Sequence, residues 1–101
     1  MSYITTVRAR LRDADPAAAL AHHNEVVGRL RPQGTPLGGV SHMVFANAQD
    51  PQEFLAVDRW DSIEGLQKFM GDPSVQQEIG SLFEGMPDVT VWAVRDGWTS
   101  Y

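Results

Sequence analysis

Residues 3 to 11, YITTVRARL, place Tyr3, Thr5, Val7, Ala9 and Leu11 on one face and Ile4, Thr6, Arg8 and Arg10 on the other. That two-residue period predicts a half-buried strand. Asp15 then offers a side-chain cap and Pro16 a first helical residue that lacks an N–H, so a helix is expected from Pro16 to Leu30. Its apolar stripe is Leu20, His23, Val27 and Leu30 with Val26 on the flank, which turns His23 toward the core and His22 toward solvent. The turn-forming run PQGTPLGG leads into a second strand, VSHMVFANA. Here Val40, His42, Val44 and Ala46 alternate with Ser41, Met43 and Phe45, and both faces are apolar enough to require cover on both sides. After NAQDPQ the chain returns as EFLAVDRW, the second arm of a hairpin.

The second half repeats the helix-then-strand order. Asp61 is placed to cap a helix with Glu64 reaching back, and Ile63, Leu66, Phe69 and Met70 form its buried stripe. The break at Gly71-Asp72-Pro73 starts a further helical pattern through Val75, Ile79, Leu82 and Phe83, which EGMPD ends. VTVWAV is the last strand and RDGWTSY a tail with two aromatics, Trp98 and Tyr101, expected to pack on a partner. Strand, helix, strand, strand, helix, strand is the ferredoxin-like α+β order: a four-stranded antiparallel sheet with its helices on one face. A second copy of the chain is the simplest cover for the other face, giving a homodimer.

A chain of 101 residues is expected to be a single domain, residues 1–101, with a core small enough to profit from oligomerisation. Eight basic against thirteen acidic residues give a net charge of -5 and no basic block, so nucleic acid is not an expected partner. No cysteine is present, which removes thiolate catalysis and thiolate metal sites. The longest apolar run, AAALA, is too short to span a bilayer, and MSYITTVRARL lacks the pattern of a secretory leader. The expectation is a cytoplasmic protein with no membrane partner.

The stretch GGVSHMVFANAQDPQEFLAVDRWDSIEGLQKFMGDPSVQQ resembles the antibiotic-biosynthesis-monooxygenase family of dimeric α+β barrels. The likeness lies in a Gly-led strand, a hairpin turn with Asp-Pro, a strand ending in Trp60-Asp61-Ser62, and a helix that breaks before a Pro-Ser step. It implies a pocket between sheet and helices and dimerisation through the opposite sheet face. Members include cofactor-free monooxygenases that oxidise polyphenols to quinones and enzymes that degrade haem. Aligned on Trp60, the haem-degrading branch's helix tryptophan falls on Phe69, its proximal histidine on Ile79 and its strand-one asparagine on or near Ala9, so all three are absent. The asparagine or tyrosine expected in the quinone-forming branch is absent too, since Ala56 and Leu66 are apolar.

Cofactor-free oxidation asks for a base, a donor for the developing oxyanion and exclusion of water. His42, mid-strand among Val40, Val44 and Ala46, is the candidate base, because imidazole exchanges protons near neutral pH. His23, Trp60 and Phe69 are the candidate substrate-binding residues, and the substrate is expected to be a small aromatic or polyketide-like molecule oxidised by O₂. Arg8, Arg10 and Arg12 share one side of the first strand, where pairing with Asp58 and Arg59 is expected to make a charged rim, the alternative being that one arginine reaches the pocket mouth to hold a phenolate or carboxylate. No glycine-rich nucleotide loop or metal-spaced ligand set occurs, so no cofactor and no metal are expected. The competing reading is a non-catalytic dimer, ligand-binding or stress-associated, that uses the same pocket.

Overall fold

The computed structural model describes residues 2–98. Strands β1 (Tyr3–Leu11), β2 (Gly39–Asn47), β3 (Asp50–Trp60) and β4 (Phe83–Ala93) form one antiparallel sheet in the order β2-β3-β1-β4. Helices α1 (Pro16–Gly34), α2 (Ile63–Met70) and α3 (Pro73–Gly80) complete the predicted ferredoxin-like α+β arrangement. The core lies between sheet and helices, built on Val7, Val26, Phe54, Val75, Leu82 and Phe83. Complete burial of a valine or phenylalanine stabilises by about 1.5–3 kcal/mol, so this small set carries much of the fold.

Several elements depart from the sequence expectation. Helix α1 runs past Leu30 and through Pro32 to Gly34, and a 3₁₀ turn, Thr35–Leu37, follows it. Thr35 closes the helix by donating both its N–H and its hydroxyl to the Arg31 carbonyl. The buried stripe of α1 is Ala19, Val26 and Leu30, while Leu20 is 62% exposed. Contact with the sheet favours the small alanine next to Leu20 and so rotates the face by one residue. His22, expected in solvent, is partly buried between Asp13, at 3.2 Å, and the Ser81 hydroxyl, at 3.3 Å.

The cap of α2 is Ser62, not Asp61: its hydroxyl accepts from the Gly65 N–H, and the Asp61 N–H donates to the Gly38 carbonyl. Asp72 caps α3 as expected, accepting from the Ser74 N–H at 2.8 Å. Strand β4 begins at Phe83, well before VTVWAV. Leu82 and Phe83 fit a helical spacing, yet α3 stops at Gly80 and both side chains enter the core from the start of the strand. Gly85, with φ 69°, and Pro87 sit where the β1–β4 register slips, Arg8 pairing with Asp88 but Arg10 with Glu84. An irregular edge strand tolerates that proline.

Arg8 and Arg10 of β1, and Arg12 just after it, find other partners than Asp58 and Arg59. Arg8 pairs with Glu53, Arg10 with Asp50 and Glu84, and Arg12 donates to the Phe83 carbonyl. Asp58 faces the helices, because the β1–β3 register puts it opposite Thr5, whose side chain is buried with the core. No helix among the described residues is long and apolar enough to cross a membrane. Trp98 is largely exposed with the Arg95 guanidinium 4.9 Å over its ring, and Tyr101 lies outside the described residues.

Candidate functional site

The irregular hairpin between β2 and β3 builds the site. Asn47 stands opposite Asp50, yet its neighbour Ala46 stands opposite Phe54, so Pro51, Gln52 and Glu53 form a bulge on β3. A slip by an odd number of residues exchanges sheet faces. It brings His42 directly opposite Asp58, and the two side chains turn toward the helices, where the His42 Nδ1 and Asp58 Oδ1 hydrogen-bond. The bulge thus decides what His42 can touch.

From the other side α1 supplies His23. Its Nε2 lies 2.9 Å from His42 Nε2, and its Nδ1 lies 3.0 Å from Asn24 Oδ1. Four side chains from one helix and two strands therefore form a continuous hydrogen-bonded row, Asn24, His23, His42, Asp58. The Phe54 ring, centred 6.0 Å from that of His23, forms the floor beneath it.

The row borders a cavity of about 420 Å³ between sheet and helices. This volume suits a small aromatic molecule. Val26, Leu30, Phe54 and Ala56 make its apolar wall, and Trp60, 4% exposed, packs at 5.2 Å and 47° against Phe69 to close one end. Gly34 and Gly39 lie against the Trp60 ring. Ile79 lines the cavity as an apolar side chain, and so does Ala56, whereas Leu66 is buried outside the lining.

All four candidates, His42, His23, Trp60 and Phe69, thus line one cavity. Reading the sequence missed Asp58, Asn24 and Arg31. Asp58 alternates in step with the buried Phe54, Ala56 and Trp60, so it belongs to the helix-facing side of β3 and not beside the arginines. Arg31 lines the cavity beside Thr35 and Ser41, in the place expected for an arginine of β1. Its position on the extended end of α1 follows from the helix passing through Pro32.

No family profile matches the chain, and no curated protein sequence matches it. Solved structures do. Rv0793 from Mycobacterium tuberculosis is 22% identical with a TM-score of 0.68, over 98% of this chain and 100% of that one. A mutant form of SnoaB from Streptomyces nogalater, described as a cofactor-independent oxygenase, is 13% identical with a TM-score of 0.72, over 98% of each chain. A structure named antibiotic biosynthesis monooxygenase is 12% identical with a TM-score of 0.67, over 94% of this chain and 99% of that one. Along nearly its whole length, the chain has the ferredoxin-like α+β fold of the solved antibiotic biosynthesis monooxygenases, the family its sequence resembles.

Proposed function

We propose that the protein is a cofactor-independent monooxygenase that oxidises a small phenolic or enolic aromatic compound in the cavity, with His42 as general base. The observation that carries this reading is an imidazole hydrogen-bonded to a carboxylate at the edge of a mainly apolar cavity. Asp58 accepts the His42 Nδ1 proton and leaves Nε2 as the basic nitrogen. The likeness in fold to a cofactor-independent oxygenase adds support.

The chemistry needs no group beyond substrate, oxygen and chain. His42 Nε2 takes the phenolic proton, and the electron-rich phenolate passes one electron to O₂. Recombination of the resulting radical and superoxide forms a carbon–oxygen bond. Loss of water from the peroxide leaves the quinone, so one atom of O₂ enters product and the other leaves as water. The substrate supplies all four electrons. Trp60, Phe69 and the aliphatic wall hold the ring and exclude water that would quench the radical pair.

The working unit in this reading is a homodimer joined through the sheet face away from the helices. Met43, Phe45 and Trp92 are exposed on that face of the single chain, which is more apolar surface than a small domain leaves wet. The test of function is oxygen consumption and quinone formation with a panel of phenols. Activity that His42→Ala lowers by roughly 10²-fold supports the reading, and equal activity in the two proteins refutes it.

A further inference from the structure

The His23–His42 contact joins two imidazoles through their Nε2 atoms. Two imidazoles meeting nitrogen to nitrogen with collinear lone pairs at hydrogen-bond distance have ring centres about 5 Å apart. The observed centres are 5.1 Å apart, the planes differ by 17°, and the Nε2 atoms are 2.9 Å apart. The rings are therefore in line, edge to edge, and not stacked face to face. Both outer nitrogens face oxygen acceptors, His42 Nδ1 the Asp58 carboxylate and His23 Nδ1 the Asn24 carbonyl. Where each Nδ1 donates to its oxygen acceptor, both Nε2 atoms present lone pairs to the same point.

We infer that His23 and His42 act as one proton-binding unit that holds a single bridging proton between their Nε2 atoms, with Asp58 and Asn24 as positioning residues that fix the two tautomers. The inference rests on the proposed oxygenase reading and deepens it: the base is the pair, not His42 alone. With the bridge empty, two converging lone pairs accept the phenolic proton; its O–H bond breaks and an N–H–N bridge forms. With the bridge full, the pair is a monocation whose charge Asp58 balances. The same proton then leaves with the departing peroxide oxygen as water. Asp58 on β3 and Arg31 on α1 are the other charged groups lining this cavity, while Phe69 and Met70 of α2 and Ile79 of α3 present apolar side chains.

A divalent metal is the competing occupant of two converging imidazoles. Zinc sits about 2.0–2.1 Å from each nitrogen with lone pairs meeting at a tetrahedral angle, so the nitrogens stand more than about 3 Å apart. In-line rings at 2.9 Å leave a midpoint too close for a metal and suited to a proton.

Nitrogen-15 spectra of histidine-labelled protein, recorded without phenol or oxygen, test this. The expected result is one proton signal correlated with both Nε2 atoms, with both Nδ1 atoms protonated. In His23→Gln that signal is expected to vanish. Separate proton signals on the two Nε2 atoms of the wild type, or a bridge signal that survives His23→Gln, would overturn the inference. So would one equivalent of Zn²⁺ binding and erasing the bridge signal. The oxygenase reading fails separately: a bridged pair in a protein that oxidises no phenol leaves this inference standing, and turnover lost in His42→Ala without a bridge removes only this inference.

Discussion

His42 on β2 and Asp58 on β3 stand directly opposite one another and join through Nδ1 and a carboxylate oxygen, an alignment that the three-residue bulge at Pro51–Glu53 creates. An asparagine at 58 keeps the shape but can offer its N–H to His42, which would move the imidazole proton to Nε2 and remove the basic lone pair. Asp58→Asn is expected to retain the fold and to slow phenol oxidation by about 10²-fold. Steady-state kinetics with circular dichroism check this; a rate within about threefold of the wild type contradicts the assigned role.

Gly65 in α2 packs so closely under the 3₁₀ turn that an added Cβ would overlap the Leu37 carbonyl. In an exposed helix, alanine for glycine would stabilise by about 1 kcal/mol. Here the overlap involves backbone, so Gly65→Ala is expected to destabilise by about 1–3 kcal/mol. Urea denaturation decides between the two signs, which are opposite.

Much of this fold was legible because buried faces repeat with the period of their element. Strand β1, the Asp72 cap and the element order follow from alternation and capping residues alone. The errors fall where two patterns coincide or where a pattern is interrupted. Leu82 and Phe83 continue the helical spacing of α3, yet the helix ends at Gly80 and the two enter the core from the turn and from the first residue of β4. Leu20 and Ala19 compete for one face of α1, and the tight fit to the sheet favours the smaller residue. His42, His23, Trp60 and Phe69 could be nominated from apolar periodicity and the family resemblance. The inward face of Asp58 follows from its period with Phe54, Ala56 and Trp60, but its pairing with His42 does not, because the bulge before Phe54 sets the β2–β3 register without a sequence period.

Asp72 accepts hydrogen bonds from the hydroxyl and the N–H of Ser74, and these hold its carboxyl below the usual carboxylate range. A group whose value is depressed on folding adds stability above its unfolded value, and that stability is lost as pH falls through the folded value. The α3 cap is therefore expected to weaken only in acid, below the ordinary carboxylate range. Asp72→Asn keeps a capping oxygen and should flatten this part of the acid dependence. Ser74 amide shifts followed against pH provide the measurement, and identical acid profiles in both proteins would contradict it.

Met43, Phe45 and Trp92 leave an apolar surface on the sheet face opposite the helices. Sedimentation at micromolar concentration is expected to give twice the chain mass. Phe45→Glu places a charge in the centre of that contact and is expected to yield monomers with intact secondary structure. A wild-type monomer, or a dimer indifferent to Phe45→Glu, would mean that the sheet face is not the interface.

The central claim, that the histidine row ionises a phenol inside the cavity, is tested most directly before any oxygen chemistry begins. A phenol whose phenolate absorbs at longer wavelength is mixed with the protein under nitrogen at a pH where the free phenol is neutral. A phenolate spectrum is expected on binding to the wild type and a neutral-phenol spectrum on binding to His42→Ala. A phenol that stays neutral when bound to the wild type, or that ionises equally on both proteins, would contradict it.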